Sequence, residues 1–441
     1  MSVEIEPLSG FRDLLPEQAI ARRKVLGVIE KIYGGYGFAP LETPAIEREA
    51  TLTGKYGEEG EKLMYKFVDH GGRNLALRYD LTVPLARVVA QYRQKLPLPF
   101  KRFQVGNVWR GESPQAGRYR EFMQFDADTV GVSGAVADTE VVAMMSDTME
   151  SLGVEATVRV NNRRILDGLA QVAGIEGEQP TRRLMGLIDK TDKLGRDTVV
   201  ENATQDFGER TGKLLAEFLS LDGDTDEARL LEVQELLKES AAANEGVGNL
   251  TGVFELLHSA GYETKKIVFD PTIARGLDYY TGIIYETTIN QLPNLGSVCS
   301  GGRFDNLVAA LGGPDLPAVG TSVGVDRLLD GLAKLGKLES RKVETQVLVA
   351  NLDEEGVKEG FKLATRLRRE GVPTDVYGEP KKLEKQLKYA DKLGILLAAI
   401  IGEDEVKSGN VTVKDLTQRS QVVISLDDAA EKIKIMLRKS R

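Results

Sequence analysis

The stretch "FKRFQVGNVWRGESPQAGRYREFMQFDAD", residues 100–128, decides the fold. Two β-favouring runs flank a loop rich in Gly, Pro and Ser, which reads as strand–loop–strand. Lys101, Arg102, Arg110, Arg118 and Arg120 fall in this stretch with one acid, Glu112, among them. The layout predicts these cations around one mouth, where planar guanidinium forks suit phosphate oxygens. Phe122 on the returning strand offers a flat face for a base. An exposed basic hairpin has the same composition. The polar–apolar alternation of Gln124, Phe125, Asp126 and Asp128 favours a ligand site over a solvated edge.

Working outward, "PEQAIARRKVLGVIEKIYGGYGF" carries helical spacing and a stop at Gly34-Gly35. "KLMYKFVD" and "LALRYD" read as further strands, and "DTEVVAMMSDTMESLG" as a helix starting at an Asp/Thr cap. No crossover helices alternate with these strands, so the expected fold is α+β. Its core is an antiparallel sheet of six to seven strands with helices on one side. Residues 175–255 are polar and helical, an expected insertion in a domain spanning 1–330. A linker over 331–343 precedes alternating β and α elements at 344–441, a compact α/β domain.

The 441 residues exceed one typical core, consistent with two or three domains. Charged residues at 28% and hydrophobic ones at 41% are ordinary for a globular protein. No apolar run reaches the ~18 residues of a membrane span. The acidic start "MSVEIEPLSGFRDLLPEQ" is unlike a signal peptide. Cys299 is single, which excludes an internal disulfide framework and fits a cytoplasmic setting. His70 and His258 are the only histidines, which argues against a zinc centre or a His-dependent triad. Chemistry therefore falls to Arg, carboxylates, Tyr and Mg²⁺. A net charge of −9 disfavours indiscriminate nucleic-acid binding but permits a local basic face.

Three further stretches carry candidate chemistry. "TIARGLDYYTGIIYETT", residues 272–288, crowds Arg275, Asp278, Tyr279 and Tyr280 between glycines. "GTSVGVDRLLDGL", residues 320–332, is a glycine-spaced strand entering a helix with Arg327 in its first turn. Such a strand lets a ligand lie on the backbone, and a buried structural arginine fits equally. "SGGRFDNL", residues 300–307, is a Gly-Gly platform or simply a tight turn. Neither a "GxxxxGK[ST]" nor a "GxGxxG" phosphate loop occurs.

These stretches resemble, in order, the motifs of the class II aminoacyl-tRNA synthetases, and specifically of the histidyl-tRNA synthetase family. "LETPAIE" resembles motif 1, "VWRGES…GRYREF" motif 2 and "GTSVGVDRLL" motif 3. "RGLDYYTG" and "SGGRFDNL" resemble the histidine-specific signatures, and "LRYDLTVPLAR" the amino-acid-binding strand. The resemblance implies activation of L-histidine by ATP with Mg²⁺, transfer to tRNA-His, a homodimer, and an anticodon-binding C-terminal domain. It implies that Asp80, Thr82 and Gln124 hold the α-ammonium, and that Asp128, Tyr279 and Tyr280 line the imidazole pocket. It puts Arg110 and Arg275 on the α-phosphate, Glu112 and Phe122 at adenine, Arg118 or Arg120 at the outer phosphates, and Arg327 at the motif 3 position. Gly111, Ser113 and Met123 depart from the family pattern, in the loop expected to meet the tRNA acceptor end. No protein base for the transfer step is implied.

A regulatory paralogue that binds histidine, a synthetase for another amino acid, and a non-catalytic tRNA-binding domain are the competing readings. Arg275 and the C-terminal domain weigh against the first, "RGLDYYTG" against the second and the retained Arg110 against the third. Imidazole presents one N–H donor and one acceptor, or two donors when charged. A carboxylate and a phenol match that pattern, and rings lacking it leave buried polar groups unpaired.

Overall fold

The computed structural model describes residues 5–114, 117–263, 265–274, 279–339, 341–379 and 381–439, without the side chains of 58 and 59. The chain divides into two compact units. One takes in the residues up to Asp13 and Val25–Leu338, the other Leu14–Lys24 and the chain from Glu339 onward.

The first unit holds β1 (Ala39–Pro40), β2 (Ile46–Arg48), β3 (Lys66–Val68), β4 (Asn74–Leu77), β5 (Phe100–Trp109) and β6 (Glu121–Val130). It continues with β7 (Ala156–Asn162), β8 (Ile267–Phe269), β9 (Ile283–Ile289), β10 (Cys299–Arg303) and β11 (Ala318–Gly324). Its main sheet has eight strands in the order β1-β5-β6-β11-β10-β9-β7-β8. The six central strands are mutually antiparallel. β1 and β8 lie parallel at the edges, so the sheet is mixed rather than antiparallel with six to seven strands. Both edge strands are short, and β1 contains Pro40, which lacks the N–H of a central ladder residue. β8 returns parallel to β7 after a long helical crossover, as parallel neighbours require. The strands expected from "KLMYKFVD" and "LALRYD" join a separate three-stranded sheet, β2-β4-β3.

One face of the main sheet is apolar. Phe125, Val319 and Val323 meet Val141, Met144 and Met145 of the helix Ala135–Ser151, and Leu328 and Leu332 of the helix Val325–Lys334, in one core. The first of these helices starts three residues before Asp138. That acid is no cap: it is buried and paired with Arg303 at 2.6 Å. Helices occupy the chain from Arg163–Ala173 to Ala241–Ser259, and their apolar faces enter the same core. The helix Arg163–Ala173 is stopped at both ends by sequence: Asn162 accepts from the Arg164 N–H, and Gly174 takes the left-handed φ of 78°.

The second unit holds β12 (Val347–Asn351), β13 (Thr374–Val376), β14 (Leu397–Ile401), β15 (Asn410–Asp415) and β16 (Ser420–Ser425), ordered β13-β12-β14-β15-β16. β12 is parallel to β13 and β14, while β15 and β16 add antiparallel strands. The helices Glu354–Arg369 and Ala429–Lys439 cover its core.

Candidate active site

The site grows from strand register. Side chains alternate along a strand, so Gln124, Asp126 and Asp128 of β6 share one face. Across from them on β5 stand Gly106, Gln104 and Arg102. On β11 stand Gly324, Ser322 and Gly320. β10 sets Ser300 beside Ser322 and Gly302 beside Gly320, and β9 sets Glu286 beside Ser300. The face opposite the core is thus a floor of acids, amides, hydroxyls and glycines. The glycines are there for space. A Cβ on Gly320 would stand 1.9 Å from Asp128 Oδ1, and one on Gly302 would stand 3.0 Å from the Tyr280 ring.

At one end of the floor, Asp80, Asp126 and Asp128 are each 2% exposed. Arg102 is fully buried among them. Its Nη2 lies 2.7 Å from Asp128 Oδ2, close enough for an ion pair though not aligned as a hydrogen bond, and donates to the Leu81 carbonyl at 3.0 Å. Asp80 is committed on both oxygens. Oδ1 accepts from the Tyr56 hydroxyl and the Val83 N–H at 3.0 Å each, and Oδ2 from the Tyr279 hydroxyl at 3.2 Å. The Val83 bond satisfies a first-turn donor of the helix Thr82–Tyr92, which begins at Thr82. Gln124 Nε2 donates to Ser322 Oγ at 2.6 Å, and Ser322 also bonds the Asp126 carboxyl. Gln124 Oε1 and Asp126 Oδ1 are buried without a hydrogen-bond partner among the described residues.

Burial pushes the Asp126 carboxyl up to about 7, with Asp128 and Asp80 adding to the effect and Arg102 and Ser322 opposing it. Burial likewise lifts Asp128 to about 6 against the pull of Arg102. Asp80 is raised by burial and drawn back by the Val83 N–H, Tyr56, Arg110 and Tyr279. The Tyr280 phenol is raised by burial and by the three acids, so it stays a neutral donor at physiological pH.

Next to this acidic end lies a cleft of about 260 Å³, lined among others by Arg110, Phe122, Gln124, Glu286, Ser322 and Arg327. Arg110 donates from Nε to the Tyr79 carbonyl at 3.2 Å, and its guanidinium carbon lies 4.4 Å from the Tyr79 ring centre and 5.1 Å from that of Phe122. Arg327 donates to the Ser297 carbonyl at 2.7 Å on the cleft wall. Glu112 and Arg118 form an ion pair at 3.1 Å, and both line the cleft.

The five cations of the hairpin do not share one mouth. Only Arg110 and Arg118 line the cleft. Lys101 pairs with Glu140 at 2.7 Å, and Arg102 is the buried partner of Asp128. Arg120 reaches the carbonyls of Glu112 and Ser9, packed against Gly10, and is not a lining residue. Strand alternation and a two-way loop explain this division. Asp80, Thr82, Asp128, Tyr279 and Tyr280 stand together at the acidic end, and Gln124 stands on its cleft side. Arg275 lies outside the described residues. Gly111 has a local reason, since a Cβ there would meet the Leu63 carbonyl at 3.2 Å. Met123 donates its backbone N–H to Asp326 at 2.7 Å, and Ser113 is exposed. Sequence reasoning assigned no role to Asp126, Ser322 or Glu286. Asp126 stands in the alternating run, Ser322 in the glycine-spaced stretch and Glu286 in the stretch after the paired tyrosines, but nothing in the sequence separates them from their neighbours there.

Comparison with known proteins agrees with this geometry. The histidyl-tRNA synthetase family matches residues 10–328, and the anticodon binding domain family matches residues 346–436. A histidine–tRNA ligase of Wolinella succinogenes is 41% identical over 429 residues, 96% of this chain and 97% of its own. One of Gloeobacter violaceus is 41% identical over 470 residues, 99% of each chain. The crystal structure of a histidyl-tRNA synthetase from Nostoc sp. PCC 7120 superposes with a TM-score of 0.88 at 33% identity, covering 99% of this chain and 100% of that one.

Proposed function

Because the chain belongs to the histidyl-tRNA synthetase family, it is a class II histidine–tRNA ligase, and we propose how its residues divide that work. The reaction activates L-histidine with ATP to histidyl-adenylate and pyrophosphate, then transfers histidine to the 3′-terminal adenosine of tRNA-His. One observation supports the assignment of residues: a buried acidic end, fit for a small cationic molecule, lies beside an arginine-lined cleft, fit for a nucleotide.

In this reading Asp80, Thr82 and Gln124 hold the α-ammonium, and Asp128, Tyr279 and Tyr280 surround the imidazole. Adenine lies over Phe122 near Glu112, with Arg118 at the outer phosphates and Arg327 against the nucleotide. The histidine carboxylate attacks the α-phosphorus, and the bond to pyrophosphate breaks. That carboxylate is already ionised at neutral pH, so no protein base is needed. Arg110, and Arg275 by family resemblance, would stabilise the charge gathering on the α-phosphoryl oxygens. In transfer, the ribose hydroxyl attacks the acyl carbon and AMP leaves, with a phosphate oxygen of the adenylate taking the proton.

Mg²⁺ fits as an ion carried in on ATP. No group of three His, Cys, Asp or Glu able to cage a metal occurs among the described residues, and Mg²⁺ needs only one or two carboxylates besides phosphate oxygens. Glu286 on the cleft wall would be such a carboxylate. The ion would neutralise phosphate charge. A homodimer is supported by the motif 1 resemblance and by exposed Ile46, Phe67 and Val68 on the three-stranded sheet. A cytoplasmic setting is supported by the single cysteine. Among the described residues no helix is long and apolar enough to cross a membrane. In the second unit, exposed Lys381, Lys382, Lys385 and Lys388 would meet tRNA phosphates.

The test is ATP–pyrophosphate exchange with each of the twenty amino acids. Histidine alone should support it. Exchange that ignores histidine, or that another amino acid drives equally well, would refute the assignment.

A further inference from the structure

We infer that Asp126 is a second imidazole-reading carboxylate beside Asp128, and that this pair of acids sets the selectivity for a ring bearing N–H groups. The inference rests on the reading of the acidic end as the histidine pocket. It begins from which acceptors are already used. Three acceptor positions of Asp80 are taken by Tyr56, Val83 and Tyr279, which leaves one for the α-ammonium and none for the ring. Asp128 faces fully buried Arg102 at 2.7 Å, so much of its charge is answered within the protein. Asp126 has Ser322 on one side and, among the described residues, no partner on Oδ1, although that atom is buried. An unsatisfied buried carboxylate oxygen is costly, and native structures retain one mainly where a ligand completes it.

The surroundings define the ligand's chemistry. Asp126 sits between Gln124 and Asp128 on one face of β6, so an amino acid whose ammonium meets Gln124 lays its side chain over Asp126. Ser322 accepts from Gln124 at 2.6 Å and bonds Asp126, coupling the two contacts through one hydroxyl. The charged and titratable groups that bear on Asp126 are Arg102 of β5, Arg78 beside Gly106, Asp80, Asp128 and Tyr280. Tyr33 and Cys299 add to these from the apolar side. Three acids against two buried arginines, Arg102 and Arg78, favour a donor-rich ring, and imidazole offers one N–H when neutral and two when charged. A five-membered ring without N–H would leave Asp126 Oδ1 unpaired.

The experiment measures pyrophosphate exchange on the full chain for the parent, Asp126→Ala and Asp126→Asn, with histidine and with 2-thienylalanine, a five-membered ring lacking N–H. Asp126→Ala should raise KM for histidine by roughly 10- to 100-fold, the value of a hydrogen bond to a charged group. KM for ATP should stay within about twofold, and the preference for histidine over thienylalanine should collapse by a similar factor. Asp126→Asn, which keeps shape and one acceptor, should fall between. In the parent, KM for histidine should rise as pH falls through about 7 and Asp126 gains its proton, and Asp126→Asn should lack that limb. If Asp126→Ala does not accumulate, Asp126→Asn and the pH limb carry the test. A parent that exchanges with histidine, alongside variants with unchanged histidine KM, unchanged discrimination and an unchanged pH limb, overturns the role of Asp126 alone. A parent without histidine-dependent exchange overturns the pocket assignment beneath it.

Discussion

Replacing Arg102 by Met tests the electrostatics of the acidic end. Arg102 is fully buried, and its Nη2 stands 2.7 Å from Asp128. Removing one member of a buried pair leaves an uncompensated charge and costs about 3–5 kcal/mol. The cost depends on pH. With Arg102 present, the folded-state value for Asp128 is about 6, above the ordinary carboxyl value, so folding binds a proton and stability falls as pH rises toward 6. Without Arg102, which pulls that value down, Asp128 holds its proton to a higher pH. The variant then goes on losing stability through Asp128 above pH 6, where the Asp128 contribution in the parent has levelled off. The gap should widen by roughly 1.4 kcal/mol per pH unit until the variant's own carboxyl ionises. Trp109 is the single tryptophan and lies at the end of β5, so its fluorescence follows the first unit during urea unfolding. Unfolding curves at pH 5.5 and pH 8 should give a small penalty at the lower pH and about 3 kcal/mol or more at the higher. A penalty below about 1 kcal/mol at pH 8, or one equal at both pH values, would refute the reasoning. Asp128→Leu added to Arg102→Met should recover much of the loss at pH 8, because an apolar pair of similar volume replaces the lone charge.

Arg110→Ala should lower kcat for pyrophosphate exchange by ~10² or more, with unfolding unchanged, and a loss below about threefold would remove it from the reaction centre. Arg275→Ala should do the same in the same assay, and unchanged kcat would exclude it. Gly320→Ala forces Asp128 from its place, since the new Cβ would stand 1.9 Å from Oδ1. KM for histidine should rise at least tenfold while KM for ATP holds, as titration of each substrate will show. Lys385→Glu with Lys388→Glu should raise KM for tRNA-His in aminoacylation and leave pyrophosphate exchange untouched, with the contrast strongest at low salt.

Much of the site was legible because β6 writes its alternation openly, from Gln124 to Asp128. The glycine-spaced β11 and the paired tyrosines also stood out. What escaped notice depended on pairing between distant segments. Ser322 and Glu286 matter only because β11 and β9 bring them beside Asp126 and Ser300, and a strand's sequence does not state its register. Arg102 and Arg120 looked like substrate-facing cations because charge shows in a sequence while the direction of a side chain does not. The position next to Lys101 sends Arg102 inward to Asp128, and close packing on Gly10 draws Arg120 to the Ser9 carbonyl. The parallel edges of the sheet were invisible for a simpler reason. Two and three residues are too few for a period-two pattern to show.

The bare stretches of the floor constrain how this pocket can change over time. At Gly320 and Gly302 every available mutation adds atoms, so drift there only shrinks the room for an amino-acid side chain. Ser300 and Ser322 are the neighbouring positions where a swap can trade one polar contact for another without closing the slot. Any lineage, natural or laboratory-made, that learns to accept a bulkier ring should show its first changes at those two serines.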